Sequence, residues 1–215
     1  MIKVNELMNI LSNKRPIFQS EADFQHAFAW ELQTQYPKSK IRLEYPHSTE
    51  NNRIYLDLWV NEEPIYYAIE LKYIKKRLNT VFNHENFQLT SNDAPDQARY
   101  DFLKDIGRLE QVAHHFGNTI GFAILLTNEP AMWKSPTRED VNDIQFRFQE
   151  GRVVHGELDW GPKTGLGTKK GREILNIQDE YHLQWKDYSN LETKNGEFRY
   201  LAVKVQNSKG DMEHV

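Results

Sequence analysis

Asp57, Glu70 and Lys72 are the residues of this chain whose types and spacing could do chemistry. Asp57 interrupts the apolar segment RIYLDLWV (Arg53–Val60), and Glu70-Leu71-Lys72 interrupts YYAIELKYI (Tyr66–Ile74). Both segments are rich in β-branched and aromatic residues, and Asn61 to Pro64 reads as a turn between antiparallel strands. Because strand side chains alternate, Glu70 and Lys72 share a face with Ala68, opposite Ile69, Leu71 and Tyr73. Asp57 shares its face with Tyr55 and Trp59, leaving Leu56, Leu58 and Val60 on the core side. A charge within such a strand costs free energy unless it is paired or bound to metal. Two carboxylates and an ammonium on adjacent strands suit Mg²⁺-assisted cleavage of a phosphodiester. Asp57, Glu70 and the Leu71 carbonyl would supply oxygen ligands, with Mn²⁺ able to substitute, and the ion would activate water. Lys72 would orient that water or stabilise the transition state, with its pKa lowered by burial near the metal. The bland alternative is a structural Lys–carboxylate pair at a sheet end.

The elements that must position these residues are legible on either side. Ile2 to Leu11 has amphipathic helical spacing, and Ser20 caps a second helix with Glu21 and Asp23 in its first turn, stopped at Tyr36-Pro37. Ile41–Pro46, Arg53–Val60 and Tyr66–Ile74 form a meander of three strands. Asn79 to Pro95 is polar without a clear period and reads as a flap over the site. Phe102, Ile106, Leu109, Ala113 and Phe116 place a long helix over Asp96–Phe116, with Gln97, Asp101, Lys104 and Arg108 as a separate polar stripe. TIGFAILLTNE (Thr119–Glu129) is a strand buried on both faces, parallel to a neighbour. Strands are expected in IQFRFQ, RVVHGEL, YHLQWKDY and FRYLAVKV, and a frayed tail from Ser208.

The composition bounds the function. The 215 residues, 39% hydrophobic, make one domain with a real core. With no cysteine there are no disulfides, no thiolate nucleophile and no Cys-based metal site. No signal core or membrane span is apparent, so the expected location is cytoplasmic. A net charge of −4 gives no global attraction to nucleic acid, so contact with DNA would depend on local basic patches.

The order helix, three-strand meander, helix, strand, with Asp57 on the second strand and Glu70-Leu71-Lys72 on the third, resembles the PD-(D/E)xK nuclease superfamily. The resemblance implies an α/β restriction-endonuclease-like core over about residues 20–129. A C-terminal β-rich extension over about 140–207 would lie on the same sheet, within a single domain. It also implies a Mg²⁺-dependent deoxyribonuclease, in restriction, phage defence or DNA processing, and makes Glu21 a further metal ligand. Leu56 stands where the motif has Pro. Gln97-Ala98-Arg99-Tyr100 is similar to the Gln/Tyr helix signature of exonuclease-like members, with shorter spacing.

Other candidates are weaker in chemistry. Gln97, near a helix N-terminus, could touch the site or a phosphate. Lys75, Lys76 and Arg77 follow the motif strand, and Lys163, Lys169, Lys170 and Arg172 lie among four glycines; both suit phosphate contacts, and a solvated hairpin tip is the alternative for the second. Glu21 is equally explained by the helix dipole. Glu44, on the first strand, has less claim. The scattered histidines make no zinc set, and Trp133 and Trp160 could be core residues or stacking platforms. A homodimer would fit duplex cutting. The competing readings are an inactive nucleic-acid- or protein-binding module and an enzyme acting on small phosphate esters.

Overall fold

Val4, Leu7, Met8 and Leu11 recur at helical spacing, and in the computed structural model they form the buried stripe of α1 (Val4–Lys14). The structure describes residues 1–48, 53–92, 94–138 and 140–206. The expected tail from Ser208 lies outside the described residues. α2 (Glu21–Gln35) starts at its cap signal, with the Ser20 hydroxyl accepting from the Asp23 N–H at 3.1 Å. Its Phe24, Ala27, Phe28 and Leu32 are buried.

The meander follows as β1 (Lys40–Ser48), β2 (Arg53–Glu62) and β3 (Ile65–Ile74), antiparallel throughout. After a hairpin, β4 (Leu78–Phe82) and β5 (Glu85–Leu89), α3 (Pro95–His115) leads to β6 (Thr119–Thr127). β6 runs parallel to β3, from Tyr66 opposite Thr119 to Ile74 opposite Thr127. Then come β7 (Val153–Leu158), the short α4 (Leu166–Lys169), β8 (Leu175–His182), β9 (Trp185–Asn190) and β10 (Glu197–Gln206). The result is an α/β fold with a mixed six-stranded sheet, β1-β2-β3-β6-β10-β9, and four helices among the described residues. No helix among the described residues is long and apolar enough to cross a membrane.

Both faces of the sheet are covered. Phe24 and Phe28 of α2 pack with Ile69, Leu71 and Tyr73 on one side, while Phe102, Ile106 and Leu109 of α3 pack with Ala68, Ala123 and Leu125 on the other. A strand buried on both faces must be apolar at every position, which is why β6 shows no alternation.

Four sequence expectations are corrected. The proposed flap is instead the hairpin β4–β5, closed at Asn83 and His84, both with positive φ (49° and 65°), as a two-residue hairpin turn requires. Leu78, Phe87 and Leu89 anchor it in the core on the α2 side. IQFRFQ is a turn of 3-10 helix at Ile144–Phe146 that buries Phe146 and Phe148, not a strand. YHLQWKDY is divided between β8 and β9. Of the C-terminal extension, only β9 and β10 join the main sheet, and β7 pairs with β8 in a separate two-stranded sheet.

Gly121 sets how closely α3 approaches the sheet. A Cβ at this position would lie 3.0 Å from Leu109 Cβ and 3.1 Å from Val205 Cβ. A larger side chain would push the helix off β6. Gly121→Val is expected to destabilise the fold by about 1–3 kcal/mol in denaturant titration, and an unchanged midpoint would show that α3 is not seated through this contact.

Candidate active site

The site begins where β2 and β3 separate. Their ladder runs from Glu62 opposite Ile65 to Leu58 opposite Ile69 and ends there. On the other side of β2, Leu43 pairs with Leu58 and Tyr45 with Leu56, and the intervening Glu44 has φ 48°, a backbone state uncommon outside glycine. The strand turns over at this point. Leu58 and Val60 pack on the α2 side, whereas Leu56 packs on the α3 side with Ala68. This corrects the expectation that Leu56, Leu58 and Val60 share one face. The buried Gln25 of α2 donates from Nε2 to Glu44 Oε1 at 3.2 Å and to the Asp57 carbonyl at 3.3 Å, holding the kink.

Beyond Ile69 the β3 amides facing the gap have lost their partner strand, and buried N–H groups must be paired. Carboxylates replace it: Asp57 Oδ2 accepts from the Leu71 N–H at 2.6 Å, and Glu21 Oε2 accepts from the Tyr73 N–H at 2.8 Å. Glu21 thus reaches the motif strand from the first turn of α2. Residues of one strand edge present N–H and C=O together, so the Leu71 carbonyl opens toward the same gap.

Glu70 and Lys72 lie on the opposite face from Leu71, as alternation requires, and meet α3. Lys72 Nζ is 3.4 Å from Asp105 Oδ2, and the Arg108 guanidinium lies 3.1 Å from Glu70 Oε1 and 2.9 Å from Asp105 Oδ1. Arg108 also donates to the Tyr55 carbonyl at 2.8 Å. Glu70 and Asp105 are 3% and 4% exposed. Glu70 Oε1 and Asp105 Oδ2 lie within ion-pair distance of these cations without a hydrogen bond, so two buried carboxylate oxygens remain under-satisfied.

Four carboxylates, Asp57, Glu70, Asp105 and Glu21, therefore face two cations, Lys72 and Arg108. Burial raises the Asp57 pKa to about 6, against the pull of the Leu71 N–H and Lys72. Burial, reinforced by Asp105 and opposed by Arg108, pushes Glu70 up to about 9. Asp105 is raised by burial too, despite Lys72 and Arg108. For Lys72, burial favours the neutral amine, but Asp105, Glu21, Asp57 and Glu70 outweigh it and raise the pKa. The direction is set by the surrounding carboxylates, which outweigh the burial of the ammonium.

Among the described residues no three His, Cys, Asp or Glu side chains are arranged as a metal-holding group. The donor chemistry nevertheless fits Mg²⁺, which is held through one or two carboxylates with waters and substrate phosphates filling the rest. Asp57, Glu70 and the Leu71 carbonyl are oxygen donors at one fork, and the buried Glu70 Oε1 accepts no hydrogen bond. Glu21 is the fourth oxygen source.

The remaining sequence candidates lie elsewhere. Gln97 accepts from Arg172 at 2.7 Å, and Arg172 is also 3.9 Å from Asp101, so each is engaged with the other rather than with Asp57 or Glu70. Lys76 pairs with Glu129 at 3.1 Å, Lys75 lies over the Tyr73 ring, and Arg77 is exposed. Lys163 and Lys170 are exposed, and Lys169 is half-buried in α4. Trp133 and Trp160 are core residues.

Sequence reading did not single out Asp105. Its signal was present, since Phe102, Asp105, Leu109 and Val112 follow one another at helical spacing and place a carboxylate on the apolar face of α3. Arg108 was visible only as part of a polar stripe. Compared with protein-family models, curated proteins and solved structures, the chain matches none of them.

Proposed function

We propose that this chain is a Mg²⁺-dependent hydrolase of phosphodiester bonds in DNA, built on a restriction-endonuclease-like core of α2, β1–β3, α3 and β6. The observation that carries the reading is the excess of buried carboxylate at the β2–β3 fork. Asp57 and Glu70 are pushed toward protonation there, in a site whose oxygen donors suit a hard divalent cation. When bound, that ion would supply Lewis-acid activation of water and phosphate. Asp57, Glu70 and the Leu71 carbonyl would hold it, with Glu21 at the rim. Lys72, kept charged by its neighbours, would place a positive charge where negative charge develops on the phosphate. Asp105 and Arg108 would position Lys72 and Glu70 from α3.

A second reading is an inactive binding module. What favours it is that Asp57 and Glu21 already have structural work, capping the amides of β3.

The test is incubation of the full chain with plasmid and single-stranded DNA in Mg²⁺ or Mn²⁺, with a chelator control. Cleavage should require the ion and fall about 10²–10³-fold in Lys72→Met, the loss typical of removing one preorganised electrostatic group. Salt-sensitive DNA binding without cleavage under either ion would select the module.

A further inference from the structure

We infer that the hairpin β4–β5 reads the base sequence of duplex DNA from its major groove, an assignment that rests on the hydrolase reading and extends it to specificity. Strand alternation gives the hairpin two faces. Leu78, Phe87 and Leu89 of one face are buried in the core. On the other face Asn79 lies opposite Gln88 and Val81 opposite Asn86, and Arg77 and Thr90 continue the alternation at the base. All six of these residues are exposed.

The outward face carries three side-chain amides, one guanidinium, one hydroxyl and an apolar Val81 that is 65% exposed. It has no carboxylate, in a chain with 31 acidic residues. These are the groups that read base edges: Arg pairs with guanine, Asn and Gln with adenine, a hydroxyl with several bases, and an apolar group with the thymine methyl. Among the described residues the side chains of Arg77, Asn79, Gln88 and Thr90 have no hydrogen-bond partner, so their donors and acceptors are open to a ligand. No aromatic side chain stands on this face, so unpaired bases have nothing to stack on. Duplex RNA keeps its base edges in a deep, narrow groove that side chains do not reach. The major groove of B-DNA, about 12 Å wide, admits a two-stranded ribbon, and a five-residue strand such as β4 spans about 17 Å of it.

The ribbon is fixed at both ends. At its base Asn92 Oδ1 accepts from the Lys75 N–H at 2.7 Å, Ser91 Oγ accepts from the Arg77 N–H at 2.9 Å, and Asn195 Nδ2 donates to the Arg77 carbonyl at 2.9 Å. At the turn Gln19 Nε2 donates to the Asn86 carbonyl at 2.9 Å and to Glu85 at 3.2 Å. Arg77 follows Lys72 by five residues, with Lys75 and Lys76 between them. A rigid ribbon joined this closely to the fork holds its reading side chains in register with the reacting phosphate.

The full chain, immobilised in chelator, is used to select from a pool of DNA duplexes with a randomised centre, and the retained duplexes are sequenced. Wild type should enrich one short motif. Asn79→Ala and Gln88→Ala should each lose preference at one or two base pairs, keep the rest of the motif and bind the selected duplex about tenfold more weakly. Both are surface positions, and thermal melts check that the variants fold. Placing 7-deaza purines in the motif removes the N7 acceptors of the major groove and should weaken wild type by about tenfold as well. No enriched motif, the same motif in wild type and both variants, or indifference to the 7-deaza bases would overturn the ribbon assignment; a hairpin that docks on a protein gives the first of these. Plasmid cleavage at scattered sites in Mg²⁺ or Mn²⁺ would then retain the hydrolase alone. An enriched motif without cleavage under either ion would retain the ribbon and reject the hydrolase.

Discussion

Asp57→Asn should lower metal-dependent cleavage by about 10²–10³-fold and leave the unfolding midpoint nearly unchanged. The carboxylate has two tasks at once, offering charge to a cation and accepting the Leu71 N–H at 2.6 Å. An amide oxygen performs the second task without the first. Asp57→Ala performs neither, so it should lose activity equally and also lose stability, by about 1–3 kcal/mol for the part-buried amide left unpaired. Rates and denaturant titrations on the two variants therefore separate chemistry from capping. Activity retained in Asp57→Asn would mean that only the hydrogen bond matters, and the hydrolase reading would fail at its first residue.

The second large effect is in pH. An unfolded Glu70 would titrate near the ordinary carboxylate value of 4.5, whereas in the fold burial and Asp105 carry it to about 9. Across that window the folded state holds a proton that the unfolded state has released, so stability falls as pH rises. Asp57 acts in the same direction over a narrower range, from 3.8 to about 6. Thermal melts of the metal-free protein should decline steadily from pH 5 to pH 9, and the decline should be clearly shallower in Glu70→Gln, which has no proton to lose. A cation that ligates Glu70 must displace the same proton. Mg²⁺ affinity should then rise over this range, and calorimetry at pH 7 in buffers of different ionisation enthalpy should register about one proton released. Identical pH slopes in wild type and Glu70→Gln would place Glu70 as an ordinary ionised partner of Arg108.

Why the fork could be read and its surroundings could not is a matter of period. Strand alternation puts Glu70 and Lys72 on one face with Ala68, and a capping serine followed by acids puts Glu21 at a helix mouth; both follow from neighbours within a few residues. The contacts of Asp105 and Arg108 with β3 depend on how α3 lies across the sheet, a long-range relation set by close approach at Gly121. The reversal of β2 at Asp57 was hidden for a related reason. Alternation assumes a regular strand, and the left-handed Glu44 opposite lies in a residue type that does not advertise it. Asn83-His84 likewise makes a two-residue turn without the glycine that commonly signals one, so Asn79 to Pro95 looked shapeless. The C-terminal strands were found largely by composition, but their division between two sheets rests on tertiary pairing alone.

The opened ladder of β3 also bears on how the chain behaves in a crowded solution. Unpaired backbone in mid-sheet is a template on which a strand of another molecule can add, and proteins commonly guard such edges with charge. Here Asp57 and Glu21 occupy the hydrogen-bonding positions an intruding strand would need. The same two carboxylates that could serve a reaction thereby cover the Leu71 and Tyr73 amides on which a further strand would pair.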